Sequence, residues 1–499
     1  MKNRSILAGA CLLMALVAIA GCGDAQQRAE TSGIHDEERT NGQQLRPTDA
    51  DARQGYDGAT VDSYASQGGD FRVWWAVDGE HAPPSADDDG DGIPDYVEVV
   101  AQAADDVAAH LESNGWQLAL ADDFGAGEPP GGDARFDIYL IDFRAGDGHY
   151  SRDVCFENSS GVENCAGHFR IENDFAGLAY PSREYAARLV LSHEYFHAVQ
   201  NAYTSGLPQW WSEGTATWFE EEYNAEQDDF ERLTSLYFEE HTRSLNDRGR
   251  GPADGFSYGA SIFVYFLELQ IGADGVRGVF EDLAEGSPLL DAIEGRVSGS
   301  LGSLREAFDL FAVYNLFTGS RAISENGYPD AERFAEVEVE PRQIDGPINW
   351  NVDADPLAAR YLKLSFEEAI TLRKTALDGF AGQPEVLALN QAGFETSGAV
   401  DAITSGEAVR FEPDMSPLYV VVTNGYTDER RAATLQVRVA GPADDESDDQ
   451  EQEDPDAVDD DEPGGEGGCS AASTGPSPMV ASVLAVLMLA AIRRKRRRD

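Results

Sequence analysis

The sequence predicts an α+β protein: a first domain built from a small sheet with an edge strand plus a helical half, followed by a β-sandwich domain. Two kinds of segment carry the first domain. Strand-like runs fall at Phe71–Val77 and Phe136–Asp142, and longer stretches such as 97–111 and 303–317 place apolar residues at helical spacing. The sandwich rests on a third observation. From Tyr361 onward the runs YLKLSF, EVLALN, LYVVVTN and ATLQVRV are separated by Gly, Asn, Pro and Ser, the pattern of an antiparallel sandwich of about a hundred residues. A composition shift near Glu340 divides the chain into 59–340 and 341–442.

The N-terminal stretch reads as a leader. Lys2 and Arg4 precede an apolar run that ends in Ile19, Ala20, Gly21 and Cys22, which resembles a bacterial lipobox. Residues 1–21 are then a lipoprotein signal peptide and Cys22 the lipidated first residue; a plain transmembrane anchor is the alternative. Residues 22–58 are polar and without apolar period, the composition of a flexible tether. The first folded element expected is the strand Phe71–Val77.

An acidic loop follows, ADDDGDGIPDYVE. Counted from Asp87, carboxylates fall at positions 1, 3, 5, 9 and 12 (Asp87, Asp89, Asp91, Asp95, Glu98), with Gly92 at 6 and the Ile93 carbonyl at 7. Oxygen ligands in that register suit a calcium ion, and a glycine at 6 permits the sharp turn. Pro94 departs from an EF-hand, so a single structural calcium site at 87–98 is expected, against the alternative of an acidic surface turn. Val97, Val100, Ala104, Val107 and Leu111 then form a helical stripe that stops at Asn114–Gly115. Of the five cysteines, Cys11 lies in the leader and Cys469 in the tail, which leaves Cys155 and Cys165 to pair in an oxidising exterior.

The stretch Leu189 to Glu221 holds the chemistry. Within LVLSHEYFHAVQ, His193 and His197 are one helical turn apart, so both imidazoles can face one ion, with Glu194 beside them as a carboxylate free to take a proton. Zinc needs a third protein ligand. Glu213, in the helical pattern WWSEGTATWFEE after a turn marked by Gly206 and Pro208, is the best candidate.

HEYFHAVQ followed by WWSEGTATWFEE resembles the gluzincin metallopeptidases, and the order of calcium-type loop, HExxH and glutamate helix resembles metalloproteases of the myxobacterial cell surface. The resemblance implies a zincin-like metallopeptidase fold, zinc on His193, His197 and Glu213, and Glu194 as general base. Glu220 falls where the related aminopeptidases often carry a glutamate. The resemblance also makes Tyr258, in FSYGASIFVYFLE, the candidate donor to a tetrahedral oxyanion, against an ordinary buried tyrosine. It makes His168–Asn173 the edge strand that would hold substrate. The fifteen residues between His197 and Glu213 are fewer than in thermolysin or those aminopeptidases. Only Glu172 and Asn173 echo the end of an aminopeptidase amine-binding strand, which favours an endopeptidase.

The net charge of -54 argues against nucleic-acid partners, although much of it sits in the acidic linker 443–468. Residues 469–499 join Cys469, an apolar stretch and a basic cluster, and resemble a myxobacterial C-terminal sorting tag, with a simple tail anchor as the alternative. The expectation is a monomeric zinc- and calcium-binding peptidase acting on peptide or protein substrates. It would be held at the cell surface as an outer-membrane lipoprotein or secreted after tail processing. The rival is a metal-stabilised surface adhesion or structural protein without activity, and hydrolysis of glycan or lipid is a third reading.

Overall fold

A computed structural model describes residues 39–440, apart from 41–42, 50–51, 53–54, 124–129, 145, 225–229, 252–253, 381 and 398–399. The leader, Cys22, the acidic linker and the C-terminal tag lie outside the described residues. The chain is mixed α+β and divides into two compact units, one running to Leu304 and including Glu332–Glu336, the other comprising Arg305–Ala331 and the chain from Val337. Among the described residues no helix is long and apolar enough to cross a membrane.

A two-residue ribbon, β1 (Arg39–Thr40) with β2 (Gln43–Gln44), precedes the main sheet of the first unit. That sheet contains β3 (Val61–Ala65), β4 (Phe71–Ala76), β5 (Phe136–Ile141), β6 (Gly148–Glu157) and β7 (Glu163–Glu172), in the order β3-β4-β5-β7-β6. The inner strands β4, β5 and β7 run parallel, and β3 and β6 lie antiparallel at the two edges. Alternation sends Phe71, Val73, Ile138, Leu140, Phe169 and Ile171 to one face, where all are buried. Helices α1 (Asp95–Ser113) and α2 (Arg183–Tyr203) cover that face, and Tyr195 of α2 sets its ring 5.2 Å from Phe71 and 5.6 Å from Phe136. The expected stripe of α1 is buried throughout, and Gly115, at φ 77, turns the chain away.

The edge strand is therefore not where the resemblance placed it. His168–Asn173 falls on and just past β7, an inner strand bonded on both sides, and the strand beside α2 at the rim is β6. The polar run GHYSRDVCFE hides β6, because an edge strand buries little of itself. Cys155 and Cys165 are register partners across β6 and β7 and are joined by a disulfide.

The stretch 22–58, read as a free tether, is in its described part packed on the back of this sheet. The Arg46 guanidinium forms ion pairs with Asp122 (2.9 Å), Asp137 and Asp153, none of the four side chains more than 5% exposed. Tyr56 is buried and donates its hydroxyl to the Trp74 carbonyl at 2.8 Å. Polar contacts hold the segment, so no apolar period betrays it.

The rest of the first unit is helical: α3 (Gln209–Tyr223), α4 (Phe230–Glu239), α5 (Gly255–Gly259), α6 (Ser261–Ile271), α7 (Ala273–Ala284) and α8 (Leu289–Leu301). The next helix, α9 (Leu304–Leu316), was expected to complete this half and to leave the boundary near 340. From Arg305 it groups instead with the second unit, where Tyr361 donates to the Ala312 carbonyl at 3.2 Å and Thr423 donates to Asp309.

In the second unit, β8 (Glu340–Ile344), β10 (Ala358–Phe366), β12 (Glu385–Leu389), β13 (Asp401–Ala402) and β15 (Leu418–Asn424) form one sheet. A second sheet is made of β9 (Ile348–Ala354), β11 (Ile370–Ala376), β14 (Ala408–Phe411) and β16 (Arg431–Val439). One core joins them, with Leu362, Leu364, Val386 and Val420 from the first and Val352, Leu372, Leu435 and Val437 from the second. The pairing is antiparallel except where β8 runs parallel to β10. A short helix, α10 (Gln391–Ser397), follows β12.

Candidate metal centre

Helix α2 begins at Ser182, whose hydroxyl accepts from the Tyr185 N–H at 3.1 Å. It ends at Thr204, and a turn through Gly206 and Pro208 starts α3 with Pro208 at its N-cap. This turn folds α3 back along α2 and brings Glu213 to the two histidines. Nε2 of His193 and Nε2 of His197 lie 3.1 Å apart, and Glu213 Oε2 is 3.3 Å from the first and 3.4 Å from the second. Zinc bonds of about 2.0–2.1 Å in a tetrahedron separate ligand atoms by about 3.3 Å, so this triangle fits one face of a zinc coordination sphere. His193, His197 and Glu213 thus meet as the sequence required.

The far sides of the imidazoles are also engaged. His193 Nδ1 faces Glu220 Oε1, and His197 Nδ1 faces Gln200 Oε1 at 3.0 Å. Such partners on Nδ1 would leave each Nε2 free to offer its lone pair to an ion held in the triangle. Burial alone would raise the Glu213 carboxyl, but His197 and then His193, both facing it, hold it well below the usual carboxylate range.

Glu194 is buried beside the triangle but is not one of its three converging groups. Burial pushes its carboxyl up, with the two histidines opposing. The edge strand β6 passes directly over it at Gly148. Tyr258, on α5, stacks on His193 at 5.8 Å between centroids and lies within electrostatic reach of Glu213. The Glu213 charge, then burial, holds its hydroxyl well above the usual range, so it remains a donor. Two glycines permit the close approach that delivers Tyr258. A Cβ on Gly214 would sit 3.2 Å from the backbone at Ala260 and Ser261, and one on Gly259 would lie 2.4 Å from the Tyr237 nitrogen.

Glu172 and Asn173 do not line this centre. The Glu172 carboxylate accepts from the Phe143 N–H at 2.9 Å, and Asn173 donates to the Glu80 and Ala82 carbonyls, both at 3.0 Å.

At the acidic loop, Asp87, Asp89 and Asp91 bring carboxylate oxygens within 4.8 Å of one another. Oxygens on one calcium ion lie up to about 5 Å apart, so the three fit a shared ion. Gly90 and Gly92 take positive φ, and the Asp87 carboxylate accepts from both of their N–H groups. Ile93 donates its N–H to Asp91 at 2.8 Å, and Asp95, at the start of α1, accepts from the Asp88 N–H at 3.0 Å. Asp95 and Glu98 stand outside the group of three. Partial burial and the carboxylates of Asp89, Asp91, Asp95 and Asp87 nevertheless push the Glu98 carboxyl up.

Sequence reasoning left Gln200 and Gly148 without a role and gave Glu220 none beyond its position. Gln200, three residues after His197, and Glu220, seven after Glu213, stand at helical spacing from a member of the triangle, which is the signal that points to both. Gly148 has no comparable signal, since only the tertiary fold brings it to Glu194. Comparison of the sequence with protein-family models and with curated proteins finds no match.

Proposed function

We propose that the protein is a zinc-dependent peptidase whose first unit is zincin-like, acting within peptide or protein chains and attached at the cell surface or released from it. The observation that carries this reading is the triangle of His193, His197 and Glu213 at 3.1–3.4 Å, with Glu194 buried alongside and uncommitted to it. A zinc ion held there supplies Lewis acidity that polarises a scissile carbonyl and makes water a nucleophile near neutral pH. Glu194 takes the proton of the attacking water and returns it to the leaving amine; its raised affinity for a proton suits both steps. Tyr258 directs its hydroxyl as a donor to the developing oxyanion. The edge strand β6, which passes Glu194 at Gly148, is where an extended substrate would add as a further strand. Calcium at Asp87, Asp89 and Asp91, with Asp95, Glu98 and the Ile93 carbonyl completing its shell, neutralises the loop that starts α1. The experiment is incubation with casein, with and without 1,10-phenanthroline. Cleavage that the chelator stops and added zinc restores supports a peptidase; no cleavage by zinc-loaded protein favours the adhesion reading.

A further inference from the structure

Gln200 is fully buried, one turn beyond His197 on α2. Both ends of its amide are committed. Oε1 accepts from His197 Nδ1 at 3.0 Å and from the Ser212 hydroxyl at 2.9 Å, while Nε2 donates to the Ser212 carbonyl and to Thr215 Oγ1, each at 2.8 Å. A backbone carbonyl can only accept, so the amide nitrogen must face Ser212 and the oxygen must face His197. Thr215 gives its own proton to the Trp211 carbonyl at 2.7 Å and so has a lone pair free for Gln200. The Ser212 hydroxyl also lies 3.3 Å from His197 Nδ1, but its proton goes to Gln200 Oε1 at 2.9 Å. An amide oxygen opposite Nδ1 requires a proton there, which in the neutral imidazole leaves the lone pair of His197 on Nε2, the atom that faces His193 and Glu213.

The same side chain reaches across the turn. Ser212 and Thr215 bracket Glu213 in the first two turns of α3, so Gln200 ties the ligand helix α2 to the backbone that carries the third ligand. We infer that Gln200 is a positioning residue of the metal centre, fixing the tautomer of His197 and the placement of Glu213 through one amide. This rests on the proposed zinc site. It also accounts for how His197 and Glu213, with only fifteen residues between them, hold their geometry: a side chain bridges the two helices across the short turn 204–208.

The test is zinc affinity, measured by competition with a chromogenic chelator on the full chain. Gln200→Met removes donor and acceptor at similar volume, and Gln200→Asn keeps the amide on a stem too short to span the gap. In whichever variant folds by circular dichroism, the apparent zinc Kd is expected to rise roughly ten- to hundredfold, with a changed visible spectrum for cobalt(II) in the site. Zinc affinity and cobalt spectrum equal to those of the parent chain, even with a lowered Tm, would mean that Gln200 only packs the helices, and would overturn the inference. Failure of the parent chain itself to bind zinc would instead overturn the proposed function.

Discussion

Gly148 on the edge strand and Glu194 on the helix beneath it are in contact: a Cβ on Gly148 would lie 2.8 Å from both Cγ and Oε1 of Glu194 and 2.6 Å from Val190 Cγ1. Only a residue without a side chain lets β6 pass so near the proposed base. Gly148→Ala must displace either the strand or the carboxylate. Because misplacement of about 1 Å at a reacting group can cost a hundredfold, kcat is expected to fall roughly ten- to hundredfold with zinc content unchanged. Steady-state kinetics beside metal analysis check this, and full activity would show that the strand stands clear of the reaction.

Arg46 is the guanidinium of a buried cluster that holds three carboxylates, Asp122, Asp137 and Asp153, the last also facing His168 Nδ1 at 3.0 Å. Removing one partner of such a cluster leaves uncompensated charge in a low-dielectric interior, typically a loss of about 3–5 kcal/mol. Arg46→Met is expected to destabilise the protein by that order in urea at pH 8. Burial already pushes the Asp122 carboxyl up to about 8. Without the guanidinium the folded state takes up further protons, so the deficit should shrink as the pH is lowered toward 5. A deficit that does not change with pH would point to lost packing instead of charge.

In the second unit, burial pushes the Asp309 carboxyl up to about 7. A raised folded pKa means that between about pH 4 and 7 the folded state holds a proton the unfolded state has released. Stability from this group therefore falls as the pH rises through that window and is constant above it, by up to about 4 kcal/mol. Asp309→Asn should stabilise the protein at pH 8 relative to the parent and lose that advantage near pH 4. Thermal melts of the pair across this range decide it.

Calcium added to zinc-loaded protein is expected to raise the Tm by several degrees, since a ligand at a hundred times its Kd stabilises by about 2.7 kcal/mol. Asp87→Ala should abolish the rise, because the Asp87 carboxylate both faces the proposed ion and anchors the N–H groups of Gly90 and Gly92. A Tm that does not respond to calcium would leave the loop an acidic turn.

The elements legible in the sequence are those whose burial writes a period: α1, β4, β5, α2, α3 and the four strongly apolar runs of the sandwich. The convergence of His193, His197 and Glu213 was legible too, because i, i+4 spacing on α2 and a turn before α3 leave few ways to bring three donors together. What escaped has little apolar content of its own. β6 is polar at a sheet rim, Arg46 is held by ion pairs, and β3, β8 and β9 bury too little to alternate clearly. The affiliation of α9 was illegible for another reason. Its stripe shows that it is buried but not which core buries it.

The most direct test is Glu194→Gln. The substitution keeps the side chain's size and removes its ability to take a proton, while the triangle of His193, His197 and Glu213 is untouched. The variant should retain about one zinc per chain and lose peptide hydrolysis by several orders of magnitude. Hydrolysis at the parent rate with zinc in place would contradict the account.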